Sequence, residues 1–465
     1  MTASAATAIA RPLAERLARR AVDMPVVVTP EARLTAGDLA RHGPGPDVTQ
    51  SDRLALCLTD PAGLITALVA LDGQVAALLL ISPAQPPEVV AALAMAAGVG
   101  RIVTDRADLA GLPGVCGLAS VLALRGVLAA PVATRWLMTT SGTTGVPKIM
   151  PHHLASLART VSRLEPATQA VWGLVYDPTR FAGMQVVLQS LIGGGQLLAP
   201  DRYAPLADQV GWLADRGISH LSATPTLWRR LLMVPGLARM PLRQITLGGE
   251  IVPQDVLDAL GQVFPAAQRT HIYALTEAGV GFAVRDGQAG FPSAYLTPET
   301  APSGMRFKLV DGVLWLRPPA ALPPRQDVPM DAEGYLSTGD LVAIEGPRAR
   351  FLGRESGVIN VGGVKVYPEV VERVIAGVPG VRLVRISAKT SPITGALVMA
   401  EVMADVAKGD IPAQAALKAA IQTTCRAALE REAVPAVIRF VDDLEINAAG
   451  KLTRRSAGAA DAART

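Results

Sequence analysis

The chain has 465 residues, half of them hydrophobic and 18% charged, a composition that supports a buried core and argues against extensive disorder. That length predicts two or three domains. The formal net charge of +4 is not gathered into a basic block interleaved with aromatics, so nucleic-acid binding is not expected.

In chain order, residues 12–20 have helical spacing and lead into the strand-like Val26-Val27-Val28. The Ala- and Arg-rich N-terminus therefore reads as the first helix of a domain rather than a transit peptide. Residues 64–81 are the most apolar stretch. Asp72, Gly73 and Gln74 interrupt it, which predicts a buried helix followed by a buried strand and no membrane span. Strands are expected at 54–58, 76–81, 101–104, 136–139, 218–222 and 244–247. Helical spacing at 87–97, 206–216, 226–234 and 256–263 alternates with them, predicting an α/β architecture with largely parallel sheets. The five prolines of 318–329 predict a surface loop. Beyond Asp340 the pattern changes: an antiparallel pair at 342–344 and 350–352, a helix at 368–375, strands at 382–388 and 396–403, and a helix at 413–431 make a compact α+β unit. The tail from Ser456 should be frayed.

Cys57, Cys116 and Cys425 are widely separated and lack metal-ligand spacing, which fits core positions and a reducing cytoplasm. The seven lysines are sparse in a chain that otherwise uses arginine, so each invites a reason. Lys148 ends the densest local pattern, Thr139-Thr140-Ser141-Gly142-Thr143-Thr144-Gly145-Val146-Pro147-Lys148, directly after an apolar strand. Its glycines let the backbone turn toward an anion, and its hydroxyls and lysine make a polyphosphate cradle by composition. Pro147 and Ile149 flank the lysine, so this is not the loop whose Gly-Lys-Ser/Thr opens a helix.

This segment resembles the signature loop of the adenylate-forming superfamily: acyl- and aryl-CoA synthetases, peptide-synthetase adenylation domains and luciferases. Further resemblances follow in the family's order. Leu247-Gly248-Gly249-Glu250 is similar to the segment lining the nucleotide and acyl pocket, although it also reads as an ordinary turn. Tyr273-Ala274-Leu275-Thr276-Glu277 resembles Tyr-Gly-x-Thr-Glu. That likeness implies Tyr273 stacked on adenine, Thr276 on the α-phosphate and Glu277 holding Mg²⁺. Ala274 replaces the usual glycine and should narrow the acyl pocket. Thr338-Gly339-Asp340 implies Asp340 as the ribose anchor, with Arg354 of Gly353-Arg354 beside it. Ser356 stands at the hinge, where many relatives carry Asp or Lys. Gly362-Gly363 resembles the loop lining the pantetheine tunnel. Asn447-Ala448-Ala449-Gly450-Lys451 implies Lys451 as the cation bridging the substrate carboxylate and the α-phosphate.

The likeness spans residues 12–455, with a shortened part before the phosphate loop. It implies a large N-terminal α/β domain of stacked, largely parallel sheets with helices (1–353) and a small mobile α+β C-terminal domain (354–465). The implied activity is ATP- and Mg²⁺-dependent formation of acyl-AMP from a small carboxylic acid, then transfer to CoA. The alternative acceptor is an acyl carrier protein's phosphopantetheine thiol, or an amine. Residues 175–183 depart from the CoA ligases' His-containing gate and more nearly resemble an amino-acid-activating element. Asp177 therefore reads either as a contact to a substrate ammonium, beside Phe181, Gly248 and Ala274, or as a loop aspartate facing water or capping the helix near Phe181. His152-His153 reads as the surface start of a helix.

Overall fold

The computed structural model describes residues 11–124, 130–140, 147–161, 169–319, 329–391, 394–407, 409–445 and 452. The chain forms two compact units, each made from two stretches: 1–222 with 234–245, and 223–233 with 246–465.

In the first unit, strands run in the order Ile149–His152, Arg135–Thr139, Ala77–Leu80, Arg53–Cys57, Arg101–Thr104 and Val115–Cys116. Every neighbouring pair is parallel except the first. Ala77–Leu80 is buried at every residue, as befits a parallel strand covered on both faces. The preceding helix, Pro61–Leu71, starts on Asp60, whose carboxylate accepts from the Ala62 and Gly63 N–H groups. The polar break after it is an anchor. Buried Asp72 accepts from the Leu13 N–H (3.0 Å) and the Trp136 indole N–H (2.9 Å), and burial raises its pKa. No helix among the described residues is long and apolar enough to cross a membrane.

A second group of strands in this unit sets Val171–Gly173 parallel to Gln196–Leu198 and to His220–Ala223. Pro25–Val28 runs parallel to Gln196–Leu198, and Arg33–Thr35 pairs antiparallel with it. One buried cluster, including Leu56, Leu68, Leu80, Trp136, Val187 and Leu197, joins these strands to the helix Phe181–Gly193. The first helix covers only Leu13–Leu17, shorter than its spacing predicts. Its continuation is drawn off because the Arg20 guanidinium donates to the carbonyls of Ser190 (3.3 Å), Gly194 (3.1 Å) and Gly195 (2.6 Å) at the far end of the Phe181–Gly193 helix.

The second unit contains an antiparallel hairpin, Gln268–Leu275 with Gly279–Val284. It also holds an antiparallel sheet in the order Phe291–Pro292, Arg348–Arg354, Leu336–Glu345, Val313–Arg317 and Arg306–Val310. The predicted pair at 342–344 and 350–352 is the middle of a longer ladder. The C-terminal stretch is α+β as expected. Helices Pro368–Ala376 and Ile411–Ala428 cover strands Val381–Ser391, Gly395–Ala404 and Val437–Phe440 around a core that includes Ile375, Ile386, Ala400 and Ile421. The fold is thus α/β with several parallel sheets. All three cysteines are free, and burial pushes the Cys57 thiol up to about 11, as a core position requires.

Candidate active site

The hydroxyl-rich loop is the connection of a β-hairpin. Thr139 pairs with Ile149, and the Thr140 N–H donates to the Lys148 carbonyl at 2.9 Å, so those two residues close the loop while the Lys148 side chain is exposed. A strand follows where the helix-opening phosphate loop would have a helix. Ser141, Gly142, Thr143, Thr144 and Gly145 lie outside the described residues. His153 does start a short helix, Leu154–Leu157, and is exposed. His152 does not share that surface role. It is the inward-facing end of Ile149–His152, buried, with its ring 5.9 Å from that of Phe181.

Next to the root of this hairpin lies a residue that the motif reading passed over. Arg180 Nη1 donates to both the carbonyl (3.1 Å) and the hydroxyl (3.0 Å) of Thr139. Burial lowers the pKa of its guanidinium, with Asp177 acting in the opposite direction. The available hint was an arginine between a turn and an apolar helix, in Asp177-Pro178-Thr179-Arg180-Phe181.

Asp177 itself faces inward. It is 2% exposed; Oδ1 accepts from the Thr179 N–H (2.9 Å) and hydroxyl (2.6 Å), and Oδ2 accepts from the Ser82 hydroxyl. Arg202 Nη1 stands 3.8 Å from Oδ2. The carboxylate neither faces water nor caps the Phe181–Gly193 helix, whose N-cap residue Arg180 makes no side-chain cap. Gly183 permits this packing, because a Cβ there would come within 2.1 Å of the Asp177 carbonyl oxygen.

In the second unit, three motif residues far apart in sequence meet. Asp340 and Arg354 are cross-strand partners, and Arg354 Nε donates to Asp340 Oδ1 at 3.0 Å. The Tyr273 hydroxyl donates to Oδ2 at 2.6 Å. The Asp340 N–H donates to the Thr338 hydroxyl (3.0 Å), which donates in turn to the Leu314 carbonyl (2.7 Å). Burial, then the Asp340 charge, holds the Tyr273 phenol well above its ordinary pKa. Asp340 chiefly raises that of Arg354, with Tyr273 and Glu277 adding to it, so Glu277 lies within electrostatic reach of the same guanidinium. The Tyr273 ring stacks on Phe282 (5.1 Å) and Phe351 (5.0 Å), in a cluster that also takes in Phe291 and Phe307. A register shift after Tyr273 puts a bulge at Ala274, and Thr276 and Glu277 occupy the half-buried turn that follows.

Gly248 ends its strand, and Gly249 has φ +83°. The Glu250 carboxylate accepts from the N–H (3.0 Å) and hydroxyl (3.1 Å) of Thr226, in the first turn of the helix Pro225–Leu232. Ser356 lies in a short 3₁₀ turn, Glu355–Gly357, directly after Arg354. Gly362 and Gly363 form the two-residue turn of the hairpin Ile359–Val361 with Val364–Val366, at φ +59° and +94°. The turn is held by Gly362 N–H to the Thr394 carbonyl and Gly363 N–H to Asn360 Oδ1, both 2.9 Å. Lys451 lies outside the described residues.

Among the described residues no three His, Cys, Asp or Glu side chains gather as a metal cluster. Mg²⁺ bound through one carboxylate and nucleotide phosphates requires no such cage.

A family model described as AMP-binding enzyme matches residues 35–313. The chain is 28% identical over 346 residues to 2-succinylbenzoate–CoA ligase of Geobacillus kaustophilus (strain HTA426), covering 69% of this chain and 68% of that one. It is 27% identical over 368 residues to fatty acid–[acyl-carrier-protein] ligase MmaC of Mycobacterium marinum (strain ATCC BAA-535 / M), covering 70% and 67%. Among solved structures, o-succinylbenzoate CoA synthetase (MenE) from Bacillus subtilis in complex with the acyl-adenylate intermediate OSB-AMP shares the fold. Its TM-score is 0.74 at 18% identity, covering 96% of this chain and 97% of that one.

Proposed function

The chain belongs to the AMP-binding enzyme family, and on that footing we propose that it activates a carboxylic acid with ATP as an acyl-AMP and then transfers the acyl group to the thiol of CoA. The observation carrying the reading is the meeting of Tyr273, Asp340 and Arg354. A carboxylate held in place by a phenol and a guanidinium at paired strands suits the two ribose hydroxyls. The loop closed by Thr140 and Lys148 suits polyphosphate.

In the first half-reaction an oxygen of the acid attacks the α-phosphorus in line, the bond to the β-phosphate oxygen breaks, and pyrophosphate leaves. Thr276 holds an α-phosphate oxygen, and Lys451 offsets the negative charge that builds there. Glu277 would hold Mg²⁺, which would supply positive charge to lower the repulsion of the nucleotide phosphates. In the second half-reaction a thiol attacks the acyl carbon and AMP departs. Lys451 and the thiol need the same space, so residues 354–465 turn as one domain about Ser356 against residues 1–353, withdrawing Lys451 and presenting Gly362-Gly363.

The test is pyrophosphate release over a panel of acids, followed by thioester formation with CoA or with a phosphopantetheinylated carrier protein. Release with no acid sinks the ligase reading. Lys451→Ala should abolish acid-dependent release and spare thioester formation from supplied acyl-AMP; equal loss in both assays overturns the division of labour. A carrier-protein thiol is the alternative acceptor, favoured by the acyl-carrier-protein ligase among the relatives. A cytoplasmic location goes with either reading and with three free cysteines.

A further inference from the structure

The Asp177–Phe181 turn carries an unbalanced charge. Two guanidinium groups, Arg202 at 3.8 Å and Arg180 within electrostatic reach, share a single carboxylate, Asp177, and that carboxylate is already spent. Oδ1 is taken by Thr179, and Oδ2 by the Ser82 hydroxyl with Arg202 at 3.8 Å. Arg180 is unevenly used. Nη1 holds the carbonyl and hydroxyl of Thr139 at the root of the phosphate hairpin, whereas Nε is buried and has no hydrogen-bond partner among the described residues. A buried cationic N–H without an acceptor is costly unless a ligand supplies one. The edge by which a guanidinium grips a carboxylate in two parallel hydrogen bonds is Nε with one Nη, and Nε is the donor that Arg180 leaves unmatched.

We propose that Arg180 receives a carboxylate of the acid substrate through this edge, and that it makes the site select against acids bearing an ammonium group. The inference rests on the ligase reading above and names the substrate class of that same site. It replaces Asp177 as the residue that decides substrate charge: Asp177 serves the turn, and an incoming ammonium would meet two guanidinium groups. Arg180 is a specificity-determining contact, with Thr139 as the group that holds it.

The test compares hexanoate, adipate and 6-aminohexanoate as substrates for pyrophosphate release by the wild type, Arg180→Gln, Arg180→Lys and Thr139→Val. The wild type should prefer either of the first two acids to 6-aminohexanoate. In Arg180→Gln the KM for the acid should rise about 10- to 100-fold, the loss of one charged hydrogen-bonded contact, with the KM for ATP unchanged. Arg180→Lys should recover part of the loss, since it keeps the charge and loses the fork. A rise for adipate alone assigns the contact to a second carboxylate, and an equal rise for hexanoate assigns it to the reacting one; both support the proposal. A raised KM for ATP with an unchanged KM for acid overturns it in favour of a phosphate contact. A loss reproduced in full by Thr139→Val overturns it in favour of a loop-pinning role. A wild type that favours 6-aminohexanoate also overturns it. If the wild type releases no pyrophosphate with any acid, the ligase reading fails by itself. The thermal shift given by adipate without ATP then decides the proposal: a shift in the wild type that Arg180→Gln removes supports it, and the same or no shift in both refutes it.

Discussion

At the scale of single residues, the constellation around Asp340 shows what sequence carries and what it does not. Asp340 and Arg354 were legible as motif members, and their pairing follows from two adjacent antiparallel strands. That the Tyr273 hydroxyl reaches Asp340 across 67 positions was not legible, because no periodicity links the two strands. The ring of Tyr273 was expected against adenine; in the structure it stacks on Phe282 and Phe351. In a chain with 4% aromatics, this clustering of rings beside one carboxylate is itself a site marker that composition alone hides. Asp340→Ala removes the acceptor for two charged or polar donors and for the proposed ribose contact. Nucleotide affinity should fall about 10- to 100-fold, as for loss of hydrogen bonds to a charged group. Calorimetric titration of ATP checks it, and an unchanged affinity refutes the ribose assignment. A parallel loss of folding is detectable as a lowered melting temperature, because the Tyr273 hydroxyl would lose its acceptor.

At the scale of elements, long periodic segments were read well. The expected helix at 87–97 is Pro87–Ala96, and the expected strand at 101–104 is Arg101–Thr104. The failures have physical causes. Ile149–His152 was missed because Pro151 and two histidines disguise its alternation; it sits at an edge of its sheet, where proline is tolerated. The first helix was overextended because spacing is blind to Arg20 leaving to cap another helix. Gly183 looks unremarkable in a helix, yet its missing Cβ lets the Asp177–Pro178 backbone lie against the first turn of Phe181–Gly193. Gly183→Ala should therefore destabilise the protein by about 1–3 kcal/mol through overpacking against backbone that cannot rotate away. Its helix propensity alone would predict the opposite sign, a gain of up to about 1 kcal/mol. Urea unfolding decides between the two. The same variant should weaken acid activation, since the displaced turn carries both Asp177 and Arg180.

At the scale of the whole molecule, the order of motifs along the chain identified the chemistry, while the two compact units could not be read from it. Each unit takes in two separated stretches, and nothing in the composition of 223–233 announces that it leaves the stretch before it. Each unit also holds a buried histidine whose pKa is pushed down. His220, tilted against the Trp172 ring and hydrogen-bonded to Ser219, has its pKa pushed down to about 4 by burial and then by Arg243. His271 is pushed down to about 4 by burial and by Arg348, with Asp286 and the Gly290 backbone acting against them. A histidine whose folded-state pKa lies below its unfolded value of about 6.5 binds fewer protons when folded. Its stabilisation is complete above that value and is lost as pH falls from about 6.5 toward 4. Asp72 acts the other way over the lower part of the window. Its raised pKa means that the folded state takes up a proton first, which relieves a buried charge as acid is added. The carboxylates held low by partners, such as Asp52 and Asp286, begin to lose their stabilisation as pH falls through the ordinary carboxylate range, at the acid end of this window. Stability should therefore fall by on the order of 5 kcal/mol between pH 6.5 and 4, with a limiting slope near two protons. Denaturant unfolding across that range measures it. His220→Asn and His271→Asn should each flatten the profile by about one proton, and a level profile in the unsubstituted protein would show that the two rings are hydrated enough to titrate at their ordinary values.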